Sequence, residues 1–169
     1  MEELPKDMLE QRGKSVTIIA FADASHEPDK ITRRSHTGYV IFVNRAPIIF
    51  YSKQQSTVES STFSSEFITM NTCLKHIMGL RFKLQMFGMD IDSPAIMLND
   101  CKSAVKNSLK IEYTLNKKNI LIDYHFVPCN VASRVVNIIW ILTVDNIAGA
   151  LTNILTEAKC KILFSDWTY

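Results

Sequence analysis

VTIIAFAD (16–23), GYVIFVN (38–44) and APIIFYSK (46–53) are the stretches that decide the fold. Each is a short run rich in β-branched and aromatic residues, too short for a helix of ordinary length and well suited to a strand. The polar pair Asn44-Arg45 separates the second run from the third as a hairpin turn does. Three consecutive antiparallel strands are therefore expected.

Working outward, the Ser/Thr-rich stretch 56–65 offers several N-caps for a helix whose apolar positions, Phe67, Met70, Leu74, Ile77 and Leu84, recur at spacings near one turn. That helix should end about Gly88. AIMLND (95–100) reads as a strand, CKSAVKNSLK (101–110) as a short helix and VVNIIWIL (135–142) as another strand. Asp145 is expected to cap a last helix through Ala150 and Leu155. The order predicts an α/β fold, a five-stranded mixed sheet with flanking helices, in which Trp140 and the strand aromatics belong to the core. Residues 1–14 carry mixed charges and little periodicity, so the domain is placed at 15–157, after an N-terminal lead-in and before a tail at 158–169.

Composition narrows the class. The chain has 169 residues, 47% hydrophobic and 21% charged, with a formal net charge of +2; this fits one ordinary domain and excludes a disordered chain. The longest apolar stretch, 135–144, is interrupted by Asn137 and Thr143 and falls short of the roughly 20 residues that cross a bilayer. MEELPKDMLEQ (1–11) is acidic and polar where a signal peptide is basic and then apolar. Cys73, Cys101, Cys129 and Cys160 show neither CxxC nor zinc spacing, and are expected to be reduced thiols. An intracellular, cytoplasmic location follows as an expectation.

Three carboxylates occupy positions an acidic site favours. Asp23 ends the first strand, Asp100 ends the fourth, and Glu66 lies in the first turns of the long helix, on the sheet-facing side if Phe67 and Met70 face the sheet. Open α/β sheets bind ligands at strand ends, and carboxylates gathered in a cleft are reconciled by divalent cations. Two cations about 4 Å apart clamp a phosphodiester, one activating water and the other stabilising the leaving oxygen. Taken singly, each residue reads more readily as a solvated loop or cap carboxylate.

The blocks 21–67, LNDCKSA (98–104), LIDYHFV (121–127) and DNIAGALTNIL (145–155) together resemble the ribonuclease H domain of copia-type retrotransposon Pol polyproteins, which follows the reverse transcriptase. RRSHTGYVIF (33–42) and SKQQSTVESS (52–61) are the most specific parts. The resemblance implies a ribonuclease H-like fold and two-metal hydrolysis, with Mg²⁺ or Mn²⁺, of the RNA strand of RNA–DNA hybrids. It further implies a location in a retroelement particle. Asp23, Glu66 and Asp100 match the family's first three catalytic, metal-binding carboxylates.

The fourth carboxylate does not carry over. Where the family has Ala-Asp, an aliphatic pair and Thr-Lys, this chain reads Ala148-Gly149-Ala150-Leu151-Thr152-Asn153. Asp145 lies four residues before Gly149, a rise of about 6 Å on a helix, so it could replace the missing ligand only with movement, given cation distances near about 2.1 Å. The family's Lys-His pair is Lys118-Asn119, and Asn119 cannot shuttle protons as imidazole can. Pro128 falls inside an expected helix, where it costs about 3 kcal/mol unless the helix ends there. Arg134 stands in a turn that glycine would make more easily. These departures imply impaired cleavage and leave open an alternative, a non-catalytic remnant that keeps the fold and weak nucleic-acid binding.

Basic residues supply the binding candidates. Arg33, Arg34 and Lys53 flank the early strands, with Arg45 nearby, while Lys102, Lys117 and Lys118 stand with Lys106 and Lys110 on the helical insert. Such clusters form the usual footprint for a phosphate backbone, although a lysine-rich helix face is as often merely solvated. No histidine is assigned a catalytic role.

Overall fold

In the computed structural model, the structure describes residues 13, 15–26, 31–59, 61–110 and 121–153, with side chains from 125 onward in the last segment. β1 (Ile18–Ser25), β2 (His36–Val43) and β3 (Ala46–Gln54) form the expected antiparallel meander. The hairpin turns at Asn44, which adopts a positive φ of 56° and ties the turn back to Thr17 through its side chain and backbone. Asparagine tolerates this left-handed conformation better than most residues.

α1 (Thr62–Met86) starts where Ser61 accepts the Ser64 backbone N–H at 3.2 Å. It buries Glu66, Phe67, Met70, Cys73, Leu74 and Ile77 against the sheet. Gly88, at φ +74°, takes the left-handed conformation just beyond its end. β4 (Ala95–Asn99) then pairs parallel with β1, and after α2 (Lys102–Ser108) and α3 (Leu121–Ala132), β5 (Val136–Trp140) pairs parallel with β4. The strand order is β3-β2-β1-β4-β5, a mixed sheet with flanking helices.

Three expectations need correction. Asp145 does not cap the last helix: Thr143–Asp145 winds as a 3₁₀ turn, and α4 (Gly149–Thr152) begins after Ala148 without a side-chain cap. Trp140 is not core, because β5 is an edge strand and leaves its indole 36% exposed. Phe50 on the other edge strand is likewise exposed. Pro128 lies inside α3, as expected, and the helix continues to Ala132, with Val127 buried in the core.

Arg134 does adopt the left-handed conformation that its position suggested, at φ +57°. Cys73, Cys101 and Cys129 are unbridged thiols, and Cys160 lies outside the described residues. Among the described residues no helix is long and apolar enough to cross a membrane.

Candidate metal centre

The parallel pairing of β1 with β4 runs through Ala22 and Asn99, so the residues that follow, Asp23 and Asp100, emerge side by side at the same end of the sheet. Glu66, little more than one turn into α1, reaches the same place from above the sheet. One carboxylate oxygen from each of Asp23, Glu66 and Asp100 lies within 4.8 Å of the others. Asp23 and Glu66 are buried and Asp100 is half-buried.

Each carboxylate is held by a neutral donor. The Thr152 hydroxyl donates to Asp23 Oδ2. Asn99 donates through Nδ2 to Glu66 Oε2 at 3.0 Å, and Asn146 through Nδ2 to Asp100 Oδ1 at 3.3 Å. The same two amides converge on the carbonyl of Ala22, each at 3.0 Å. Their own oxygens accept backbone N–H groups, Asn99 from Cys101 and Asn146 from Ala148. Such partners fix where ligand oxygens point without neutralising them.

Neutral partners leave the repulsion among the three carboxylates uncompensated. Burial pushes the Glu66 carboxyl up to about 8, with Asp23 and Asp100 adding to the rise while the bonds from Asn99 and the Ala24 backbone oppose it. Burial also raises Asp23, Thr152 pulls it down, and Asp100 adds repulsion. Three hard oxygen donors with this mutual repulsion could hold a divalent cation.

α4 closes the other side, and Gly38 makes room for it. Gly38 pairs with Asp23 across β1 and β2. A Cβ there would lie 2.6 Å from Thr152 Cγ2 and 3.0 Å from Leu151 Cβ. Gly149, where the resemblance leads one to expect a fourth carboxylate, faces the cluster: a Cβ on it would meet Asp23 Oδ2 at 4.0 Å and nothing nearer. Asp145 is exposed and stands outside the group of three.

The basic candidates distribute along the same end of the sheet. Arg33 and Arg34 are exposed just before β2, Lys53 is exposed near the end of β3, and Lys102 is exposed at the start of α2. Lys117 and Lys118, like Asn119, lie outside the described residues. Asn99, Asn146 and Thr152 had no part assigned from the sequence, where only the adjacency of Asn99 to Asp100 pointed toward one.

No family model matches the chain. It is 25% identical over 147 residues to the retrovirus-related Pol polyprotein from transposon RE1 of Arabidopsis thaliana, a match that covers 87% of this chain and 10% of that protein. The chain thus spans about a tenth of the length of this relative. Among solved structures, the N-terminal RNase H domain of rv2228c from Mycobacterium tuberculosis superposes with a TM-score of 0.59 at 15% identity, covering 88% of this chain and 99% of that one. LC11-RNase H1, solved in complex with RNA/DNA hybrid, gives 0.57 at 15% identity over 82% and 94%. Over most of its length this chain is similar in sequence to retrovirus-related Pol polyproteins of transposons, and it has the ribonuclease H fold.

Proposed function

We propose that the chain binds RNA–DNA hybrids and holds a divalent cation, Mg²⁺ or Mn²⁺, on Asp23, Glu66 and Asp100, with hydrolysis of the RNA strand reduced because Gly149 supplies no fourth carboxylate. The observation that carries this reading is the gathering of three carboxylates, two buried and one half-buried, where the ends of paired parallel strands meet α1, each oriented by a neutral donor. A bound divalent ion supplies Lewis-acid chemistry, activating water and stabilising charge on the phosphodiester. Asp23, Glu66 and Asp100 contribute the ligand oxygens, and Thr152, Asn99 and Asn146 hold them in place. Hybrid recognition relies on duplex shape, 2′-hydroxyl and phosphate contacts, for which Arg33, Arg34, Lys53 and Lys102 are the described candidates, with Lys117 and Lys118 proposed beside them. In the parent polyprotein a reverse transcriptase domain is the expected neighbour.

Gly149 also favours a second reading, a non-catalytic domain that retains hybrid binding. Cleavage of a hybrid labelled in its RNA strand, with Mn²⁺ or Mg²⁺, separates the two. The first reading expects slow cleavage by the natural chain, lost in Asp23→Asn and increased in Gly149→Asp. Binding without cleavage in both the natural chain and Gly149→Asp establishes the second.

A further inference from the structure

Trp140 ends β5 at the sheet edge beside Asp100, and its side chain is anchored from two directions. The indole Nε1–H donates to the backbone carbonyl of Asp100 at 2.9 Å. The ammonium of Lys102 lies over the ring, 4.3 Å from the centroid. The ring is thus tied to the very residue whose carboxylate enters the acidic group, and it carries a cation on its face.

We infer that Trp140 and Lys102 act as one unit, the indole holding the ammonium for a phosphate of the nucleic-acid backbone bound at the carboxylate cluster. This rests on the proposed reading of the cluster as a hybrid-binding site. A lysine on a free four-carbon stem loses rotamer freedom when it grips a phosphate, and a stem already ordered on a ring loses less. The ring attracts the cation electrostatically but accepts no conventional hydrogen bond, so the N–H donors stay available to phosphate oxygens. The ring also offers the ammonium an alternative to folding onto the Asp100 carboxylate two residues away, where it would compete with a metal cation. Trp140 is therefore a positioning residue and Lys102 the contacting one.

The test is equilibrium binding of an RNA–DNA hybrid to the full chain over a salt series, with Lys102→Gln, Trp140→Leu, Trp140→Phe and the double variant Lys102→Gln/Trp140→Leu. Lys102→Gln and Trp140→Leu should each weaken binding roughly 5-fold and each flatten the slope of log affinity against log salt by about 0.9. The double variant should be no worse than either single one, and Trp140→Phe, which keeps a ring face, should retain most of the affinity. In a Trp167→Phe background Trp140 is the single tryptophan, and hybrid binding should change its fluorescence. Hybrid binding in which Trp140→Leu keeps the natural salt slope, or in which the two losses simply add, overturns the inference while leaving the proposed function standing. A natural chain that binds no hybrid at low salt overturns both.

Discussion

The Cβ that Gly149 lacks would stand 4.0 Å from Oδ2 of Asp23, in otherwise open space. A Cβ can therefore be added at this position without displacing its neighbours. Gly149→Ala should stabilise the fold by about 0.5 kcal/mol, through the smaller conformational freedom of the unfolded chain. Gly149→Asp should be less stable than Gly149→Ala without metal, because it adds a fourth carboxylate to three. Adding Mn²⁺ should reverse that order, as measured by thermal unfolding of both variants with and without the ion.

Glu66 gives the fold a pH dependence. Its carboxyl is pushed up to about 8 by burial, from an ordinary value of 4.5. Between those values the unfolded chain has released a proton that the folded chain still holds. Stability from this group is therefore complete below about pH 4.5, falls as pH rises toward 8, and levels off above it, at up to about 1.4 kcal/mol per pH unit inside the window. Denaturant unfolding at several pH values should show this decline in the metal-free protein, and Glu66→Gln should flatten it. Mn²⁺ should flatten it too, since cation binding displaces the proton.

Gly38 controls how α4 sits against Asp23. Gly38→Ala puts a methyl 2.6 Å from Thr152 Cγ2 and 3.2 Å from the carbonyl of Ala148, so α4 must shift and the Thr152 hydroxyl must leave Asp23. The expected cost is about 1–3 kcal/mol, with a parallel loss of Mn²⁺ affinity. Denaturant unfolding and metal titration of the same variant check both parts.

Arg134 holds φ at +57° in the turn between α3 and β5. A non-glycine residue there costs about 1–2 kcal/mol in backbone strain, part of which glycine loses again through its freer unfolded state. Arg134→Gly should raise stability by about 0.5–1 kcal/mol, visible as an increase in Tm with unchanged hybrid binding.

What the sequence reveals follows from which interactions leave a periodic trace. Ile18, Ile19, Val40 and Ile41 announce strands because burial on a sheet favours runs of such residues, and Phe67, Met70, Leu74 and Ile77 announce a helix because one face meets the sheet. Asp23 and Asp100 are legible as neighbours because both end strands, and Glu66 because it follows a cap. Asn99 and Asn146 leave no such trace: their value lies in sharing the carbonyl of Ala22 while each holds a different carboxylate, a relation visible only after the chain is folded. Trp140 reads as core because residue type does not reveal that its strand lies on an edge. Asp145 reads as a helix cap because a 3₁₀ turn and a helix start share the same local residues.

Asp23, Glu66 and Asp100 are proposed to form a divalent cation site that lacks one ligand at Gly149. Calorimetric titration of Mn²⁺ into the natural chain, Asp23→Asn and Gly149→Asp tests it most directly. The expected result is binding of one ion by the natural chain, loss of that binding in Asp23→Asn, and tighter binding or a second ion in Gly149→Asp. A natural chain that takes up no Mn²⁺, or takes it up equally well as Asp23→Asn, would contradict the claim.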